Sequence, residues 1–276
     1  MKKYRITADI TVEEIDNSPA VVVLPSAPEW SFNAVDHVNG ARLLGVDGIF
    51  DTSGEIVNTP IFKGIKHTQQ KGSDCAQSYG FGKNLSDRLV KGDEFWAKGR
   101  FLYPANWDFS NAHNRNLGGT ATRCKMFRLQ TFTDKVEHRG YNDVYLCQSS
   151  DKIRWQFIYE GKDEWAFSGL DGWVPTRPLA PATKIVPGNP VDIEYYVKLD
   201  DKAGTVRLWE DGKLSFEITD LATLVAPTDY ASLFRFCTYV NGGAPADQSI
   251  YTDNWVMCTS HNKPTNKDAA GNLFIG

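Results

Sequence analysis

The sequence predicts an all-β protein, an antiparallel sandwich or barrel, and three observations carry that expectation. Short runs rich in Phe, Tyr, Trp, Val and Ile follow one another from Lys91 onward. Each run is bounded by Gly, Pro, Asn or Asp, the punctuation of strands joined by turns. Stretches with a 3.6-residue apolar period are short, so few helices are expected.

Nine strands follow from the runs: Glu94 to Tyr103, Arg123 to Thr133, Asp143 to Gln148, Ile153 to Tyr159, Val191 to Leu199, Thr205 to Glu210, Lys213 to Ile218, Leu233 to Tyr239 and Ile250 to Thr259. Glu210-Asp211-Gly212-Lys213 predicts a tight antiparallel hairpin, because a type I′ turn needs positive φ at both central residues and Asp-Gly tolerates it. A capping Thr219 or Asp220 ahead of Leu221-Ala222-Thr223-Leu224 predicts a turn or two of helix. Before residue 91 the texture changes. Lys3 to Val12 alternates like a strand, whereas frequent Gly, Ser, Asn and Asp and the polar run His67 to Asp74 predict long surface loops. The expected organisation is one domain with a strand-and-loop region over 1–90, a sandwich core over 91–261 and a loose polar tail over 262–276.

Composition narrows the function classes. With 30 Lys+Arg against 34 Asp+Glu and a formal charge of -4, no overall field draws the chain to nucleic acid. A 41% hydrophobic content excludes disorder. The longest apolar stretch, Ala20 to Leu24, is too short to span a bilayer, and Met1-Lys2-Lys3-Tyr4-Arg5 does not open a secretory leader. Synthesis in the cytoplasm without membrane insertion is the expectation. The five cysteines, Cys75, Cys124, Cys147, Cys237 and Cys258, show no CxxC spacing and read as core thiols. The five histidines pair neither with one another nor with these cysteines, so no metal and no cofactor is expected.

Alternation along the strands separates core from exposed residues. Phe127 and Leu129 suit the core, which turns Arg128 and Gln130 outward. Ile193, Tyr195, Val197 and Leu199 point inward and leave Glu194, Tyr196 and Lys198 outside, where Arg207 joins them. Phe234 and Phe236 point inward, with Arg235 and Tyr239 outward. Arg, Lys, Tyr and Gln on a sheet face suit an acidic sugar, since guanidinium pairs with carboxylate and aromatic rings stack on a pyranose; an ordinary solvated face has the same composition. Trp96, Trp155, Trp209 and Trp255 lie in strands and read as core or sheet cover, while Trp107, Trp165 and Trp173 lie in loops that a sugar can reach. No paired carboxylates have the spacing of a glycosidase, and Gly118-Gly119 and Gly242-Gly243 lack the Lys-Ser/Thr of a phosphate loop.

Tyr195-Tyr196-Val197-Lys198, the run from Gly204 to Lys213, Phe234 to Gly243 and Ile250 to Val256 together resemble the concanavalin A-like jelly rolls of polysaccharide lyases and related carbohydrate-binding proteins. Gly92 to Trp96, Pro104 to Phe109 and Lys125 to Gln130 resemble the matching front strands, so the resemblance covers roughly residues 90 to 260. It implies a β-sandwich of two antiparallel sheets. It also implies β-elimination at a uronate, with Arg128 and Gln130 neutralising the carboxylate, Tyr196 and Lys198 moving protons and His113 as a base. Arg207, Arg235 and Tyr239 would add substrate contacts. The Arg-x-Glu-x-Arg strand and Gln-Ile-His triplet of one alginate lyase family are missing. Two readings stand. One is a carbohydrate-recognising jelly roll that serves as a structural or adhesion component of an assembly such as a virion, with a surface glycan and neighbouring copies as partners; the other is a polysaccharide lyase.

Overall fold

A computed structural model describes residues 4–6, 12–14, 27–42, 44–45, 48–50, 54–72, 79–109, 122–149, 152–161, 181–238, 240 and 243–276. The strands before residue 91 are β1 (Tyr4–Ile6), β2 (Val12–Glu14), β3 (Trp30–Phe32), β4 (Ile49–Phe50), β5 (Glu55–Asn58), β6 (Lys63–Gln69) and β7 (Tyr79–Leu89). Those of the expected core are β8 (Glu94–Leu102), β9 (Thr122–Phe132), β10 (His138–Ser149), β11 (Lys152–Gly161), β12 (Pro190–Lys198), β13 (Gly204–Glu210), β14 (Lys213–Leu221), β15 (Tyr230–Cys237) and β16 (Gln248–Thr259). A short hairpin, β17 (Asn266–Lys267) and β18 (Leu273–Phe274), closes the chain.

Two large antiparallel sheets form the sandwich. The first has the order β11-β10-β9-β15-β7-β4, and the second β14-β13-β12-β8-β16-β6-β5 with β3 added on β16. The architecture is the jelly-roll β-sandwich expected from the sequence. Asp211 and Gly212 both take positive φ, 48° and 73°, and join β13 to β14 as the Asp-Gly dipeptide predicts.

The core lies where the inward faces meet. Trp255 is fully buried with Phe81, Phe101 and Phe236 at ring distances of 4.9, 5.4 and 5.2 Å, and its indole N–H donates to the Thr252 hydroxyl at 3.0 Å. Gly99 on β8 lets the backbone approach this indole: a Cβ there would sit 3.0 Å from three ring atoms. The inward residues named from alternation, Phe127, Leu129, Ile193, Tyr195, Val197, Leu199, Phe234 and Phe236, all belong to this core.

Four expectations are corrected. Among the described residues the region before residue 91 holds more strands than expected: β6 and β7 are full members of the two sheets. Polar side chains hid them. His67 and Gln69 of β6 point into the core, where burial lowers the His67 pKa to about 3 and the imidazole bonds the Thr252 hydroxyl at 2.9 Å. The helix expected after Thr219 is absent, because β14 runs to Leu221 with Asp220 at φ 57° and Leu224 is drawn into the core. Trp107 is a core residue packed 5.2 Å from Tyr103, not a side chain held out on a loop. The tail is not loose. Leu273, Phe274 and Ile275 pack on Trp96, Tyr196, Trp209 and Cys258 across the outer face of the second sheet. The Trp96 indole donates to the Leu273 carbonyl at 3.1 Å and the Trp209 indole to Asp268 at 2.9 Å. The domain itself therefore supplies contacts that hold the tail.

Cys124, Cys237 and Cys258 are buried free thiols, and burial pushes all three up, to about 12, about 11 and about 12. Cys75, Trp165 and Trp173 lie outside the described residues.

Candidate functional site

The centre of the first sheet's outer face is built by β9, β10 and β15. Since Phe127 and Leu129 are in the core, Arg128 and Gln130 of β9 face outward. Register then fixes their neighbours: Asp143 of β10 and Arg235 of β15 sit directly opposite Arg128, and Tyr141 and Leu233 opposite Gln130. A bulge changes the count on β9. Val144 pairs with Phe127 but Tyr145 pairs with Lys125, so Met126 is an extra residue. Strict alternation would turn Lys125 and Arg128, three apart, to opposite faces; the bulge puts both on the outer one.

The result is a charged knot. Arg128 grips Asp143 through two parallel bonds, Nε to Oδ1 at 2.7 Å and Nη2 to Oδ2 at 2.5 Å. Lys125 Nζ lies 3.3 Å from the same Oδ2, and the Tyr145 hydroxyl donates to it at 3.2 Å. The Arg128 guanidinium stacks 3.6 Å over the Tyr141 ring, which itself lies 4.4 Å from His138. Lys125 lies 5.3 Å over the Tyr145 ring. Arg128 is 3% exposed, Lys125 5% and Asp143 not at all. Burial by itself would raise the Asp143 carboxyl, but the charges and hydrogen bonds of Arg128 and Lys125 outweigh it and hold the group below the ordinary carboxylate range. Two cations around one carboxylate leave the knot with a net positive charge at neutral pH. Arg235 and Gln130, half-buried beside it, extend the same face.

Arg128, Gln130 and Arg235 are thus brought together as the sequence suggested. Tyr196, Lys198 and Arg207 are not with them: β12 and β13 belong to the other sheet, and these side chains face away on the far side of the sandwich. Alternation tells inside from outside, and a sandwich has two outsides. The Tyr196 hydroxyl donates to Glu94 at 2.7 Å, and burial and the Glu94 carboxylate push its pKa well up. Arg207 stacks 4.9 Å over Tyr196 and is ion-paired to Glu217. His113 and Tyr239 lie outside the described residues. Lys125, Tyr141, Asp143 and Tyr145 were missed. For Asp143 and Tyr145 a signal existed, since Val144 and Leu146 between and after them are core residues; for Lys125 the bulge concealed it.

No protein-family model matches the chain, and no curated protein is similar to it in sequence. Solved structures are similar in fold. A doubly substituted alginate lyase Aly36B in complex with an alginate trisaccharide aligns with a TM-score of 0.61 at 14% identity, over 84% of this chain and 98% of that one. The alginate lyase vAL-1 from Chlorella virus gives 0.55 at 15% identity over 76% and 90%, and the endo-β-1,4-glucuronan lyase from the fungus Trichoderma reesei 0.54 at 12% over 84% and 95%. The jelly-roll β-sandwich suggested by the sequence is the fold of this chain, shared along most of its length with these solved polysaccharide lyases.

Proposed function

We propose that the chain recognises an acidic polysaccharide on the outer face of the first sheet. The observation that carries this reading is the Lys125, Arg128, Asp143 knot. Its excess positive charge, directional guanidinium and flanking Tyr141 ring match a polymer that presents one carboxylate per pyranose. Asp143 fixes the guanidinium in place through two parallel bonds. Arg235 and Gln130 supply the adjacent contacts. The fold neighbours support the choice of polymer, as their names are those of alginate and glucuronan lyases and one holds an alginate trisaccharide.

A second reading, cleavage by β-elimination, is favoured by the Tyr145 hydroxyl and Lys125 ammonium meeting at one carboxylate. In that reaction a base takes the C5 proton, a C4–C5 double bond forms as the C4–O bond breaks, and the leaving oxygen receives a proton. Arg128 and Gln130 would hold the substrate carboxylate and Tyr145 would serve the proton transfer.

Calorimetric titration with alginate, glucuronan and a neutral glucan tests the binding reading. We expect affinity for the two acidic polymers only, weakened about tenfold by Arg235→Ala, as for loss of one charge-assisted hydrogen bond. Equal affinity for the neutral glucan, or none for either acidic polymer, would refute it. Ultraviolet absorbance of an unsaturated uronate, lost in Tyr145→Phe, separates the lyase from a pure binder.

A further inference from the structure

The tail covers only part of the second sheet's outer face. Beside the tail-covered part, β5, β6, β8 and β16 line an open cavity of about 540 Å³, a size that holds a small ligand. Val57, Ile61 and Leu102 form apolar walls, and among the described residues Lys66 is the one charged side chain lining it. Lys66 on β6 and Tyr251 on β16 are direct cross-strand partners. Ile65, Ile250 and Phe101 beside them are in the core, which turns Lys66, Tyr251 and Leu102 to the cavity. Neither the Lys66 ammonium nor the Tyr251 hydroxyl has a hydrogen-bond or ion-pair partner among the described residues.

The rims are fixed before any ligand arrives. Thr59 ties the β5–β6 turn, its hydroxyl donating to the Phe62 carbonyl at 2.5 Å and accepting from the Ile61 and Phe62 amides at 3.2 and 2.9 Å. On the other side the Gly188 amide donates to the Tyr103 carbonyl at 2.6 Å. Such a cavity loses little entropy on binding.

We infer that this cavity is a second saccharide site, which takes a carboxylated pyranose with its carboxylate on Lys66 Nζ and the apolar face of its ring on Tyr251. An unpaired cation next to an aromatic side chain and apolar walls complements a ring that is apolar on its faces and anionic at one edge. The choice of a uronate over other carboxylates rests on the acidic-polysaccharide reading; the cavity and its two unpartnered polar groups do not. With a site on each side of the sandwich, one chain can hold two polymer strands, or gain avidity from one long strand that wraps it.

Titration of the full chain with an alginate trisaccharide, read by NMR chemical shifts and calorimetry, tests this directly. Two independent binding events are expected. Lys66→Ala and Tyr251→Ala should each weaken one of them about tenfold, Lys66→Glu should abolish it, and all three should leave the other event and the melting temperature in place. Arg235→Ala should do the reverse. A single event that responds to Arg235→Ala but to no substitution at Lys66 overturns the second site and leaves the first-sheet reading standing. Binding lost in the Lys66 and Tyr251 variants but unaffected by Arg235→Ala keeps the cavity site and overturns the first-sheet one. No binding of any uronate oligosaccharide overturns both. Crystals soaked with the trisaccharide provide a check independent of folding, since density in the cavity locates the sugar even if Tyr251→Ala fails to fold.

Discussion

Both outer faces of the sandwich carry arginine and tyrosine, yet they use them in opposite ways. On the first sheet Arg128 and Tyr141 form part of a charged knot around Asp143, with Lys125 as a second cation. On the second sheet Arg207 stacks on Tyr196 and pairs with Glu217, and the aromatics around them are sealed under the chain's own tail. One face is organised by buried charge, the other by apolar cover. The same residue types therefore say little until it is known what lies over them.

The largest effect should come from breaking the knot. Asp143→Ala leaves two buried cations without their counter-charge and should cost about 3–5 kcal/mol in chemical denaturation. The double change Arg128→Met with Asp143→Leu should cost clearly less than the two single changes summed, and strict additivity would mean that the pair is not coupled. Because the Asp143 carboxyl is depressed in the folded state, its contribution is present above the ordinary carboxylate pKa and is lost as pH falls through the folded value.

The second face should show the opposite pH response. Glu194 is 3% exposed and accepts the Ile275 and Gly276 amides at 2.6 and 3.3 Å, and burial pushes its carboxyl up to about 7 despite these bonds and the nearby Lys98. A raised acid favours folding while protonated, so stability is full below about pH 4.5 and falls as pH rises through about 7. The change is on the order of 3 kcal/mol. Glu194→Gln should flatten the stability profile between pH 5 and 8; an unaltered slope would remove Glu194 as its source. Phe274, stacked at 6.1 Å on Trp209, is a smaller test of the cover. Phe274→Ala should cost about 1–2 kcal/mol and speed proteolysis of the tail without altering polymer binding. Smallest of all, Arg207→Ala removes a partly exposed ion pair, should cost under about 1 kcal/mol and should leave polymer affinity unchanged. A large loss of affinity in Arg207→Ala would move the binding face to the second sheet.

How far the sequence could be read follows the same division. Every strand from β8 to β16 announced itself by aromatic and β-branched runs, and most of their inward residues follow from alternation, the bulge in β9 being the exception. Assignment of strands to sheets did not, because it depends on long-range order: β12 lies beside β8 and β13, whereas β15 lies between β9 and β7. That is why Tyr196, Lys198 and Arg207 looked like neighbours of Arg128. Early strands were hidden by residues whose polarity is compensated internally, such as His67, or whose smallness is needed for packing. A Cβ on Gly80 of β7 would lie 2.1 Å from the Phe236 ring, so glycine there marks tight contact and not a loop. The tail's polar residues read as disorder because its anchoring groups, Leu273, Phe274 and Ile275, form too short a run to register against Asn and Lys.

The position of β16 has a consequence for biogenesis. Near the C-terminal end in sequence, it lies inside the second sheet, hydrogen-bonded to β8, β6 and β3, and it carries Trp255 into the centre of the core. A nascent chain that has emerged only as far as residue 247 therefore holds β8 and β6 with the strand between them missing and the aromatic core without its middle ring. The sandwich cannot close progressively during synthesis; it must wait for one late strand to slide between two early ones. Folding of this kind is slow, and the waiting edges are open to wrong partners. Quenching or blue shift of tryptophan fluorescence should appear only after the stretch 248–259 has left the ribosome.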